Sequence, residues 1–100
     1  MGVSTVEEVV AYLRRNKGLF HDRFGVTRMG VFGSFVRHEQ ISSSDIDMVV
    51  EMETGKKNIH SFLQLKRVLE KDLAREIDLG FEQSLKPIVK ERVKGHIIYV

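Results

Sequence analysis

One hundred residues with 42% hydrophobic and 30% charged side chains make an ordinary globular composition, enough for one domain over residues 1–100 with a core of its own. Sixteen basic against fourteen acidic residues leave a formal charge of only +2, which argues against direct nucleic-acid binding. The absence of cysteine excludes disulfides and thiolate metal sites. No apolar run reaches membrane-spanning length, and residues 1–17 hold two glutamates where a signal peptide needs an apolar stretch, so no membrane and a cytoplasmic location are expected.

Ser4-Thr5-Val6-Glu7 has the form of a capping box, and Val6, Val9, Val10 and Leu13 then recur at helical spacing. This predicts a helix over 5–16 that ends near Gly18, followed by a loop with local turns over 19–25. The run 26–32 reads as a strand that breaks at Gly33-Ser34. A short helix starts at Ser34 and runs toward His38, the polar stretch 39–44 is a loop, and 45–51 is a second strand. Residues 53–58, with Gly55 and two lysines, read as an exposed turn. Phe62, Leu65, Leu69 and Leu73 mark a second long helix. Ile77 and Leu79 around Asp78 suit a third strand over 75–81. Leu85, Ile88, Val89 and Val93 give a last helix, with Pro87 in its first turn and Gly95 just past its end, before a terminal strand over 96–100. Helices and strands alternate around one sheet, so the expected class is α+β, a mixed β-sheet packed with helices.

The chemistry concentrates in two short segments. Gly33-Ser34 leaves a hydrophobic run where the backbone can turn tightly and stay uncluttered. Ten residues later, Asp45-Ile46-Asp47 places two carboxylates on one face of a strand, roughly 7 Å apart. Such a pair repels itself unless a cation lies between, and magnesium accepts such ligands together with substrate phosphates. Asp78, isolated between apolar neighbours, can join them if its strand lies beside 45–51. Three carboxylates, Asp45, Asp47 and Asp78, would then hold two Mg²⁺ ions, with Asp78 placed to take a hydroxyl proton. Gly33 would let phosphates approach the backbone. Ser34 would add a hydroxyl and the free N–H groups of a helix start, and Arg37, one helical turn on, suits a phosphate contact. Each piece alone has a plainer reading: a turn, a solvated strand end, an edge-strand charge. Their conjunction points to phosphoryl or nucleotidyl transfer from a nucleoside triphosphate. His21, His38, His60 and His96 show no metal-ligand spacing. Lys86, Lys90, Arg92 and Lys94 read as the wet side of the last helix, and Tyr12 and Tyr99 as aromatics at the edge of the core.

Val31-Phe32-Gly33-Ser34, Arg37, Ser44-Asp45-Ile46-Asp47 and the later Asp78 resemble the polymerase-β-like nucleotidyltransferase superfamily, and within it the minimal nucleotidyltransferases of the MntA-type antitoxins. The resemblance runs from the first helix to the terminal strand. One departure is visible: Val36-Arg37-His38 stands where a small residue, arginine and glycine are usual. The resemblance implies a polymerase-β-like fold in a single minimal domain. It implies Asp45, Asp47 and Asp78 as catalytic and metal-binding residues, Gly33, Ser34 and Arg37 as nucleotide contacts, and ATP as substrate with Mg²⁺. It further implies a HEPN-domain toxin as partner, adenylylated on a tyrosine, in a homo- or hetero-oligomer. Two other functions remain open at this point: a binding module that neutralises its partner by complex formation alone, and an enzyme acting on a small-molecule hydroxyl.

Overall fold

The computed structural model describes residues 5–33, 45–84 and 97–100. The first helix, α1, covers Val6–Phe24. Its cap is Thr5, one residue later than the Ser4 box predicts. The Thr5 hydroxyl accepts from the Glu8 N–H at 3.2 Å, and Glu7 and Glu8 place negative charge in the first turn. The predicted loop over 19–25 is helical instead. Gly18 is exposed, with no atom near the position of a Cβ, so the helix passes through it for about 1 kcal/mol. Phe20 and Phe24 lie one turn apart and are both buried, and each contributes about 2 kcal/mol or more, which outweighs the glycine. The stop falls at Gly25, whose φ of 72° is the left-handed conformation of a helix C-cap; its N–H donates to the His21 carbonyl at 2.9 Å.

Strand β1, Val26–Phe32, pairs antiparallel with β2, Ile46–Met52, with a register irregularity between Val26 and Arg28. Helix α2, Ile59–Leu73, is capped by Asn58, whose side-chain oxygen accepts from the Ser61 N–H at 2.9 Å. It ends at Ala74, a non-glycine residue at φ 53°. Strand β3, Ile77–Phe81, runs parallel to β2, and a 3-10 turn, Glu82–Ser84, follows it. Strand β4, Ile98–Tyr99, pairs antiparallel with β1, so the sheet order is β3-β2-β1-β4. β2 and β3 match the predicted strands to within one or two residues. The predicted short helix from Ser34, the loop 39–44 and the last helix lie outside the described residues.

The sheet has two unlike faces. Ile46, Met48, Val50 and Met52 of β2, with Val26, Met29 and Val31 of β1 and Ile77 of β3, pack against Val9, Leu13, Phe20 and Phe24 of α1 and Leu65, Leu69 and Leu73 of α2. Period-2 alternation then sends Asp47, Val49 and Glu51 of β2 and Asp78 and Gly80 of β3 to the other side. Tyr12 sits where α1 meets α2: it packs on Phe20, and its hydroxyl donates to the Asp72 carboxylate at 2.5 Å. No helix among the described residues is long and apolar enough to cross a membrane.

Candidate active site

The carboxylates meet at one end of this second face. In the parallel β2–β3 ladder Asp47 is the register partner of Asp78, and in the antiparallel β1–β2 ladder it is the partner of Phe32. Adjacent strands lie about 4.8 Å apart, so the two acidic side chains are neighbours on one face. Two hydrogen bonds hold this register. The Ile46 N–H donates to the Glu76 carbonyl at 3.0 Å, tying the start of β2 to the residue before β3. The Glu70 carboxylate accepts from the Ile77 N–H at 3.1 Å, fixing β3 to α2 one residue ahead of Asp78.

Gly33 follows β1 at φ 79°, a conformation that side-chain-bearing residues adopt rarely. A Cβ there would overlap the Asp47 carboxylate oxygen and stand 2.9 Å from its Cγ. The glycine is therefore required twice, for the turn and for the space that Asp47 occupies. Asp45 precedes β2 and is exposed. It lines a cleft of about 720 Å³ with Asp78, Lys66, Glu70, Arg75 and Glu76. The structure thus brings Asp45 and Asp78 to one cleft and sets Asp47 between Asp78 and Gly33. Ser34 and Arg37 lie outside the described residues.

The opposite end of the same face is wired differently. The Glu51 carboxylate accepts from Lys57 Nζ at 3.0 Å and from the Gln83 N–H at 2.8 Å. Glu82 faces Arg28 Nε at 3.7 Å and accepts from the Tyr99 hydroxyl, while the Arg28 guanidinium stacks 4.0 Å from the centre of the Tyr99 ring. No such cation stands within ion-pair distance of Asp45 or Asp78 among the described residues.

Does this donor set suit magnesium? All the donors are carboxylate oxygens, the type a hard divalent ion takes. Among the described residues no three acidic or histidine side chains gather closely enough to hold an ion by themselves. Magnesium does not need that arrangement, because one or two carboxylates with substrate phosphates and water complete its shell. The residues fit. Sequence reasoning passed over Lys66, Glu70 and Arg75. The available signal was the spacing of Lys66 and Glu70 on one side of a helix that ends at Leu73, five residues before Asp78.

The nucleotidyltransferase domain family matches residues 13–100. The protein adenylyltransferase MntA of Thermococcus cleftensis is 36% identical over 100 residues, covering all of both chains. A candidate protein adenylyltransferase of Methanocaldococcus jannaschii is 35% identical over 100 residues, covering 98% of this chain and 100% of the relative. Among solved structures, one described as a candidate minimal nucleotidyltransferase superposes with a TM-score of 0.78 at 32% identity, over 95% of each chain. A toxin–antitoxin crystal structure with AMP-PNP superposes at 0.68 and 22% identity, over 86% of this chain and 69% of that one, a likeness of fold. A strand-end glycine packed against an acidic pair, on the sheet those structures share and with sequence likeness over the whole length, places this chain in the nucleotidyltransferase domain family, as a nucleotidyltransferase.

Proposed function

We propose that this nucleotidyltransferase moves AMP from ATP, with Mg²⁺, to a tyrosine hydroxyl of a HEPN-domain toxin, and so acts as the antitoxin of a pair. The observation that supports this most is the in-register pair Asp47–Asp78 beside Gly33. Relatives named protein adenylyltransferase support a protein as acceptor. A fold shared with toxin–antitoxin crystal structures is consistent with a toxin as that protein.

In this reading Asp45, Asp47 and Asp78 would hold magnesium. When bound, the metal would neutralise triphosphate charge and ease ionisation of the attacking hydroxyl. Gly33, Ser34 and Arg37 would receive the phosphates, the glycine by leaving the backbone accessible. The acceptor oxygen attacks the α-phosphorus, the bond from that phosphorus to the bridging oxygen of pyrophosphate breaks, and pyrophosphate leaves with the electron pair. Asp78, exposed at the cleft, takes the hydroxyl proton on a carboxylate oxygen. Asp47 is held by its ladder and by the empty side of Gly33, so it needs little reorganisation before reaction.

Intact mass spectrometry tests the proposal. The chain is incubated with ATP, Mg²⁺ and the cognate HEPN-domain protein. A gain of about 329 Da per AMP on the partner, the mass of AMP less water, is expected, and EDTA and Asp45→Asn should each abolish it. Inhibition of the toxin through a tight complex with no mass gain at saturating ATP would replace transfer with neutralisation by binding.

A further inference from the structure

The acidic pair is flanked unequally. On the β1 side Gly33 offers no side chain, whereas on the β3 side the wall of the cleft is α2. Along α2, Ile59, Leu63, Lys66, Glu70 and Ala74 fall within an arc of about 80°, at 100° per residue. That stripe borders the buried one of Phe62, Leu65, Leu69 and Leu73. Its far half is apolar and open to solvent, with Ile59 69% and Leu63 45% exposed. Its near half, Lys66, Glu70 and Ala74, lines the cleft with Asp45 and Asp78.

Glu70 is engaged by the Ile77 N–H, but Lys66 is not engaged. It is half-buried, and no carboxylate lies within ion-pair distance of it among the described residues. With no such partner among the described residues, its ammonium is open to an arriving anion. Two anions are candidates: a nucleotide phosphate, or a carboxylate carried by the acceptor. In the proposed reading the phosphates lie on the Gly33 side of Asp47, which leaves the α2 side to the acceptor. The apolar continuation through Leu63 to Ile59 suits a protein surface and has no use for a small molecule.

We propose that the α2 flank of the cleft is the acceptor subsite, where Lys66 pairs with a carboxylate neighbouring the acceptor hydroxyl and the same protein covers Ile59 and Leu63. This rests on the transferase reading above. Its tests are Lys66→Glu, Lys66→Arg and Ile59→Asp, all on exposed or half-exposed positions, with the HEPN-domain protein as probe. Lys66→Glu should raise KM for that protein about tenfold, leave kcat within about threefold, and leave Mg-ATP affinity by calorimetry unchanged. Lys66→Arg should stay within about threefold of wild type, because it keeps the charge. Ile59→Asp should weaken the complex about fivefold with no ATP present. An unchanged KM in Lys66→Glu, or a matching loss of ATP affinity, overturns the proposal. If the wild-type chain transfers no AMP, the transferase reading fails by itself. The complex measured without ATP then still decides the subsite: equal affinity for wild type, Lys66→Glu and Ile59→Asp, or no complex at all, overturns it.

Discussion

The two ends of the sheet face that carries Asp47 and Glu51 hold the same chemical groups and treat them in opposite ways. At one end Glu51 and Glu82 meet Lys57 and Arg28, and a backbone N–H and a tyrosine hydroxyl complete their bonding. At the other, Asp45 and Asp78 face a cleft with no cation at ion-pair distance among the described residues, next to an Asp47 that glycine makes room for. A folded chain satisfies partly buried acids locally when they serve only the structure. Asp45 and Asp78 share a cleft without a cation at ion-pair distance among the described residues, and a bound cation would relieve their repulsion. The difference separates acids that hold the sheet together from acids available to a ligand.

Exchanging charge for amide at the cleft end is the strongest way to break that comparison. Asp47→Asn and Asp78→Asn should each lower transfer by about 10³-fold, since several kcal/mol of metal-supported charge stabilisation is lost. Melting of Asp78→Asn without metal should stay level or rise slightly, because repulsion is relieved. Calorimetric titration should show Asp78→Asn still binding Mg-ATP. A wild-type transfer rate in either variant would remove these residues from the site.

Gly33→Val is expected next in size. It forces a β-branched residue to φ 79° and into the Asp47 carboxylate. Nucleotide affinity should fall by at least about tenfold, and stability by about 1–3 kcal/mol from the strained conformation. ATP binding as tight as wild type would dissociate Gly33 from phosphate.

At the paired end, Lys57→Met should cost about 0.5–1 kcal/mol in urea unfolding, because the pair is only partly buried and solvent screens it. Transfer should remain within about twofold. A large loss of activity there would erase the distinction between the two ends.

An effect on stability alone, with none on transfer, lies away from the face altogether, at the α1–α2 contact. Burial, and then the hydrogen bond to Asp72, push the Tyr12 hydroxyl above its usual pKa. The unfolded chain therefore releases this proton first as pH rises past about 10, so the folded state binds more protons and stability declines. The contribution is fully present below pH 10 and is lost as pH rises toward the folded value. Tyr12→Phe should lower stability at pH 7 by about 1 kcal/mol and flatten that alkaline decline. A decline as steep in the variant would assign it to other groups.

Much of this protein was determined by the sequence alone, for local reasons. Period-2 alternation in 46–52 and the apolar repeat through Phe62, Leu65, Leu69 and Leu73 were enough to set β2 and α2, because burying one face dominates each element's energy. The spacing from Gly33 to Asp45 and Asp47, with Asp78 downstream, was legible because each residue type has a narrow chemical use. The end of α1 was not. Gly18 looks like a stop until the burial of Phe20 and Phe24 is known, and that burial exists only once the sheet has formed. Whether Asp78 could reach Asp47 depended on a parallel register between residues 31 apart in the chain, which no local signal encodes. Lys66 and Glu70 were invisible for the same reason: on α2 they are ordinary helix-surface charges, and only the packing of that helix against β3 turns them into a wall of the cleft.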